Sequence, residues 1–413
     1  MKNSRNYYKI KNLDTGTVIN ENDIKQTRNI SYSVLEVTYD YQKIKRILTK
    51  PFLNKNIPSI DKYYYLFPIQ KSDRLISLNE GNTPLYKSLN IIKNLGLENL
   101  YFKHEGFNPT GAFKDRGSVV EITKALAYKA KAIVLASTGN MAASISAYSA
   151  KAHIPCFVFI PDSTPESKLA QTLYYGAKII KVRGAYDQAA QLAIECAKKY
   201  NFFLAGDYAF RAEGQKSQAY EIILQLGLKS PDYIFVPVGN GTNMYAIWKG
   251  FNEFYEMHII DKLPKMIGIQ VVSYNAIYQA YKRKALTIKP ISQTTKTVAT
   301  AIAVKNPSDA GKVLKLIRES KGEMMCTTDR EIIKAQADLA KSESIFAEPS
   351  SLVVYAGLKK YIKRHKLNSK SKIVCVLTGH GLKDPVSGLN SLTHSIYQIK
   401  SNIEINKIFN QIQ

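Results

Sequence analysis

Three short stretches combine residues that can do chemistry with spacing that fixes them in place. The first is Asn108-Pro109-Thr110-Gly111-Ala112-Phe113-Lys114-Asp115-Arg116-Gly117. Asn-Pro and Thr-Gly force a tight turn, and Asp115 suits the first turn of a helix. One lysine, Lys114, is thereby held at a strand–helix junction. A lysine so placed can be partly desolvated, which lowers its pKa and makes the amine a nucleophile. The plain alternative is a surface lysine at a helix start. The second stretch is Ser137-Thr138-Gly139-Asn140-Met141-Ala142-Ala143-Ser144, where hydroxyls, a glycine and an amide lead into a helix. Such a helix start favours an anion, here a substrate carboxylate, or is simply well capped. The third is Gly239-Asn240-Gly241-Thr242-Asn243. Two glycines expose successive N–H groups and Thr and Asn add donors, the physical requirements of a phosphate cradle. It is neither a Walker A loop nor a G-x-G-x-x-G fingerprint.

These loops need elements to position them. Apolar runs at Leu100–Lys103, Ala132–Ser137, Pro155–Ile160, Ala177–Val182, Tyr233–Val238, Met266–Val272 and Lys372–Thr378 read as buried strands. Amphipathic stretches lie between them: Asp115–Lys129, Asn140–Lys151, Tyr186–Tyr200, Glu213–Leu226 and Thr328–Lys341. Alternation of this kind predicts βαβ units and a mostly parallel sheet. Ligands then sit at the carboxyl ends of strands, where all three loops fall. The first ~75 residues read as an irregular, Tyr-rich region packed on the rest.

Composition excludes several classes. The 413 residues are 45% hydrophobic and 22% charged, the mix of a globular protein rather than a disordered or collagenous one. No run approaches the ~18 apolar residues of a membrane span. Lys and Arg outnumber Asp and Glu 58 to 33, a net charge of +25 that raises nucleic acid as a partner. The excess is spread along the chain without a basic tract, which favours a small-molecule substrate and no nucleic acid. Cys156, Cys196, Cys326 and Cys375 form no C-x-x-C pair, the six histidines lack metal-ligand spacing, and the N-terminus lacks an apolar leader region. The expectation is a cytoplasmic protein with no metal site.

Beyond the three loops, further stretches carry a family likeness. They are Leu35–Tyr41 (LEVTYDY), Glu80–Leu85 (EGNTPL), Glu213–Lys216 (EGQK), Thr297–Ile302 (TVATAI), Phe346–Ser350 (FAEPS) and Leu377–Pro385 (LTGHGLKDP). With the loops, they run in one collinear order from about residue 35 to 385. In them the chain resembles the fold-type II pyridoxal-phosphate enzymes, and among these the threonine synthases most closely. The resemblance implies a tryptophan synthase β-like α/β fold of two open, mostly parallel sheet domains plus an N-terminal region. Residues 1–80 would be that region, zinc-ribbon-like but without cysteines. Residues 81–135 and 206–413 would form the large cofactor-binding domain, and 136–205 a small mobile one. It also implies a homodimer that takes pyridoxal 5'-phosphate and converts O-phosphohomoserine and water to threonine and phosphate.

The implied roles fall on individual residues. Lys114 would form the Schiff base, with Phe113 beside the cofactor. Asn140 would bond the 3-hydroxyl, Gly239, Asn240, Gly241, Thr242 and Asn243 would hold the phosphate, and Thr378 would face the pyridine nitrogen. Ser137, Thr138, Gly139, Asn140 and Met141 would take the substrate carboxylate, and Arg211 with Lys305 a second substrate anion. The substrate side departs from the pattern. Met141 stands where the family usually has threonine, Ala303 where it has arginine, and Ala205-Gly206 where it has Asn-Ser. These departures keep a threonine/serine dehydratase-like or cysteate synthase-like activity open. A non-catalytic binding protein and a nucleic-acid binder are the readings from other classes.

Overall fold

The computed structural model describes residues 7–12, 15–19, 35–55, 57–206 and 209–385. The strands are β1 (Tyr8–Asn12), β2 (Val18–Ile19), β3 (Leu35–Tyr39), β4 (Leu85–Lys87), β5 (Asn99–His104), β6 (Ile133–Ala136), β7 (Cys156–Pro161), β8 (Lys178–Val182), β9 (Phe203–Leu204), β10 (Tyr233–Pro237), β11 (Lys265–Val271), β12 (Glu323–Thr327) and β13 (Lys372–Leu377). The main helices are α1 (Asp115–Ala127), α2 (Asn140–Ala152), α3 (Tyr186–Tyr200), α4 (Ala209–Gln215), α5 (Ser217–Gln225), α6 (Thr242–Glu256), α7 (Ala310–Glu319), α8 (Asp329–Glu343) and α9 (Pro349–Arg364).

Six strands form the larger sheet in the order β12-β11-β10-β13-β5-β4, parallel except for the edge strand β4. Its central strands are continuous apolar runs because both faces are covered. Side chains alternate between the faces. Ile234, Val236, Val374 and Val376 join one core with residues of α1, α5, α6 and α7. Phe235, Ile373, Cys375 and Leu377 join the other with residues of α8 and α9. A smaller all-parallel sheet, β8-β7-β6-β9, spans residues 133–204 and carries α2 and α3.

Two expectations change. The N-terminal region is not irregular throughout, since β2-β1-β3 form an antiparallel sheet. Tyr8, Ile10, Leu35, Val37 and Tyr39 point inward from β1 and β3, while Lys9 and Lys11 point outward or sit at the margin. The anticipated helix over 213–226 is two helices that meet at Lys216. Gly214 lies against the Arg116 carbonyl and Gly250 of α6 against that of Lys216, a close approach that only glycines allow.

The N-terminal sheet is anchored to these helices by a buried ionic cluster. Lys216 Nζ donates to Glu213 Oε2 (2.6 Å) and Glu253 Oε1 (2.8 Å), and Lys249 pairs with Glu213. Tyr39 from β3 donates its hydroxyl to Glu213 Oε2 at 2.7 Å, and its ring lies 3.9 Å from Lys216 Nζ. Glu213 is held below the usual carboxylate range because the two lysines outweigh its burial. Tyr39→Phe removes one hydrogen bond to a buried carboxylate. It is expected to destabilise the protein by about 1.5–3 kcal/mol, read from the denaturant midpoint.

Candidate active site

β10, β13 and β5 are adjacent parallel strands, so the loops that follow them open at one end of the sheet. Each loop is fixed from within. After β5, Asn108 Nδ2 donates to the Glu105 carbonyl (2.8 Å). Both the N–H and the hydroxyl of Thr110 donate to the Asp115 carboxylate at 2.7 and 2.6 Å. Gly111 turns at φ +86°. The loop is stitched to the segment after β13, with Phe113 N–H donating to Thr378 O and His380 N–H to Gly111 O, both at 2.9 Å. Lys114 follows half-buried, with Nζ 4.9 Å from the Phe113 ring centroid.

After β10, Gly241 has φ +99° and leads into α6. The loop's side chains are committed to the scaffold. Thr242 Oγ1 donates to Asp309 Oδ2 (2.6 Å), Asn240 Oδ1 accepts from Ser308 N–H (3.3 Å), and Asn243 Oδ1 accepts from Gln218 Nε2 (2.6 Å). What remains towards the sheet end is backbone, including the first N–H groups of a 15-residue helix, which have no partner within it. Asn243 Nδ2 is buried and lacks a hydrogen-bond partner. A Cβ on Gly241 would come within 2.6 Å of Val313 Cγ2. Backbone donors, an orphaned amide and a glycine without room for a side chain together suit a phosphate group. Gly241→Val is therefore expected to weaken affinity for a phosphorylated cofactor roughly 10- to 150-fold, measured by titrating the apoprotein.

The third loop comes from the smaller sheet, after β6. Ser137 Oγ accepts from Ala142 N–H (3.2 Å) and so caps α2. Gly139 is exposed, with open space where a Cβ would stand. Thr138 is half-buried and Met141 buried. Asn140 reaches across to the larger sheet, its Nδ2 donating to Glu348 Oε2 at 2.9 Å.

Glu348 received no role in the sequence reading. It stands at the start of α9, 4% exposed, and its other oxygen accepts from Thr378 Oγ1 at 3.2 Å. Burial raises its pKa, opposed by the hydrogen bond from Asn140, the charge of Lys383 and the hydrogen bond from Thr378. Lys383 also went unassigned. Its Nζ donates to Thr110 O (3.2 Å) and pairs with Gln171 of the smaller lobe, tying that lobe to the lysine loop. The FAEPS and TGHGLKDP motifs contain both residues, but their roles rest on contacts across more than 200 positions.

The substrate-side expectations fare differently. Arg211 is fully buried. It pairs with Glu121, donates from Nε to Gly206 O (2.9 Å) and from Nη1 to the Lys114 carbonyl (3.4 Å). Glu121 also accepts from Gly206 N–H at 3.0 Å. The arginine thus braces the backbone of the lysine loop, an arrangement that the sequence reading of an anion site did not foresee. Lys305 is exposed, three residues beyond the turn Thr300–Ile302, whose Ile302 packs on Gly239. Ala303 is half-buried and Ala205 buried. Among the described residues no His/Cys/Asp/Glu group has metal-site geometry.

Residues 76–379 match the family described as "Pyridoxal-phosphate dependent enzyme". Threonine synthase of Methanocaldococcus jannaschii is 43% identical over 360 residues, 87% of this chain and 89% of that one. Threonine synthase of Methanosarcina acetivorans is 42% identical over 380 residues, 92% and 93% of the two chains. Among solved structures, a processed threonine deaminase isoform 2 from Solanum lycopersicum has a TM-score of 0.65 at 22% identity, covering 76% of this chain and 87% of that one. Maize serine racemase has a TM-score of 0.66 at 19% identity, covering 76% and 93%. At that identity the two structures speak for the fold alone.

Proposed function

The chain belongs to the pyridoxal-phosphate-dependent enzyme family, and from that premise we propose that it acts as a threonine synthase, converting O-phosphohomoserine and water to threonine and phosphate. The observation that carries this reading is the likeness to threonine synthases at 42–43% identity over about nine-tenths of both chains, which takes in all three strand-end loops. When bound, pyridoxal phosphate supplies an electron sink for negative charge that develops next to the substrate's amino-bearing carbon.

The remaining work falls to this chain's residues. Lys114 holds the cofactor through its amine, takes protons from Cα and Cβ of the substrate and returns protons to Cγ, once the phosphate has left it, and to Cα. Gly239 to Asn243 bind the cofactor phosphate, Asn140 its 3-oxygen, and Thr378 faces the ring nitrogen, with Phe113 alongside. The loop Ser137–Met141 takes the substrate carboxylate on the helix start behind it. Lys305, exposed just beyond the turn that packs on Gly239, is the residue we assign to the leaving phosphate. The closed lobe, with Lys383 on Gln171, keeps bulk water from the reacting carbons until the phosphate has left. One water then delivers its hydroxyl to Cβ.

A homodimer in the cytoplasm completes the proposal, with a small amino acid as the substrate. Four free cysteines fit a reducing compartment, and no helix among the described residues is long and apolar enough to cross a membrane. The test is a side-by-side assay of the reconstituted enzyme. Phosphate and threonine should appear in equal amounts from O-phosphohomoserine. Faster keto-acid formation from threonine or serine would replace this reading with a dehydratase.

A further inference from the structure

Three amide residues meet beside the start of α6: Gln215, the last residue of α4, Gln218 in the first turn of α5, and Asn243, the second residue of α6. Among the described residues, seven buried side-chain nitrogen or oxygen atoms lack a hydrogen-bond partner. Four of them belong to these three residues: both amide atoms of Gln215, Gln218 Oε1 and Asn243 Nδ2. Unpaired buried polar groups cost stability, so their concentration at one place calls for a functional reason. We propose that Gln218 is a positioning residue that turns the Asn243 amide so that its nitrogen donates to the cofactor phosphate. The proposal rests on the reading above that Gly239 to Asn243 hold that phosphate.

The direction is fixed from the backbone. A carbonyl oxygen only accepts, and Gln218 Nε2 donates to the carbonyl of Gln215 at 3.0 Å. Turning the Gln218 amide over would set its oxygen against that carbonyl. Its nitrogen therefore stays, and the second hydrogen goes to Asn243 Oδ1 at 2.6 Å. Asn243 must in turn show its oxygen to Gln218, because its nitrogen would meet another donor. What is left is Asn243 Nδ2, buried and without a partner, beside the first N–H groups of α6, which have none within the helix. A phosphate offers acceptor oxygens and makes charge-assisted bonds, so it matches a donor that nothing in the chain takes. Gln218 Oε1 stays unpaired in this arrangement, the local cost of holding Asn243.

The break between α4 and α5 makes the anchoring carbonyl available. In a continuous helix the N–H of Ala219 would take the Gln215 carbonyl, but here it donates to Lys216 O at 3.0 Å. Gly250 lets α6 come close to that same Lys216 carbonyl. A helix end that would otherwise need a cap thus becomes the fixed point from which Gln218 reaches the last residue of the phosphate loop.

The experiment titrates the apoprotein with pyridoxal phosphate and with pyridoxal, which lacks the phosphate, and records the phosphorus NMR signal of the holoenzyme. Gln218→Met is of similar length but has no donor. It should raise the dissociation constant for pyridoxal phosphate about tenfold and displace the phosphorus signal, with pyridoxal binding unchanged. Gln218→Asn, whose amide falls one methylene short of spanning both oxygens, should do the same if the Met variant fails to fold. In the Asn243→Ala background, Gln218→Met should add no further loss. Wild-type affinity and signal in Gln218→Met, equal losses for both ligands, or a further loss on top of Asn243→Ala would overturn the role of Gln218. If Gly241→Val still weakens pyridoxal phosphate binding in those cases, the loop keeps its place as the phosphate site. Unchanged affinity and signal in both Gly241→Val and Asn243→Ala would instead overturn the reading of the loop, and this inference with it.

Discussion

Lys114→Ala should keep the fold and lose the chemistry. The side chain is half-buried at the mouth of the site and belongs to none of the hydrophobic clusters of the core. The loop around it is held by Asn108, Thr110 and Asp115, and by its stitches to Thr378 and His380. The loop proposed to hold the cofactor phosphate at the start of α6 is untouched, so cofactor should still bind, but without the lysine linkage. Turnover of O-phosphohomoserine should fall by on the order of a thousandfold or more, since the proposed mechanism gives one residue both the anchoring amine and the proton transfers. The visible absorbance of the reconstituted variant should differ from that of the parent protein at equal phosphate-bound cofactor. Activity within tenfold of wild type would remove Lys114 from the mechanism.

Arg211→Ala should produce the largest loss of stability. Its removal breaks a buried ion pair with Glu121, a change that costs about 3–5 kcal/mol. It also removes one donor from each of the carbonyls of Gly206 and Lys114. Because this damage precedes any contact with substrate, kcat/KM should fall alike for O-phosphohomoserine and for an unphosphorylated amino acid. A companion Glu121→Gln change should restore part of the stability, because the buried group facing the lost guanidinium is then neutral. A loss confined to the phosphorylated substrate, with the denaturant midpoint unchanged, would return Arg211 to the role of anion receptor.

The strands of both parallel sheets were legible because burial on two faces writes them as uninterrupted apolar runs. Tyr233–Pro237 and Lys372–Leu377 lie within one residue of their expected ends. β1 and β3 were hidden by brevity and by lysines and a glutamate between their inward residues. β12, Glu-Met-Met-Cys-Thr, lacks the β-branched signature until its last residue. The break at Lys216 depends on which backbone two glycines approach, which no local pattern records. The site divides in the same way. Lys114, Asn140 and the loop 239–243 announce themselves by turn chemistry at strand ends. Glu348, Lys383 and the partners of Arg211 are defined by contacts between segments distant in sequence, and from single residues a buried ion pair looks the same as a ligand site.

The central claim is that the loops after β5, β10 and β13 form one catalytic site around Lys114. Borohydride reduction of the holoenzyme, followed by proteolysis and peptide mapping, tests it most directly. The account predicts a single pyridoxyl label, on Lys114 within Asn108–Gly117. A label on another lysine, such as Lys383 or Lys103, or no label on a protein that still turns over O-phosphohomoserine, would contradict it.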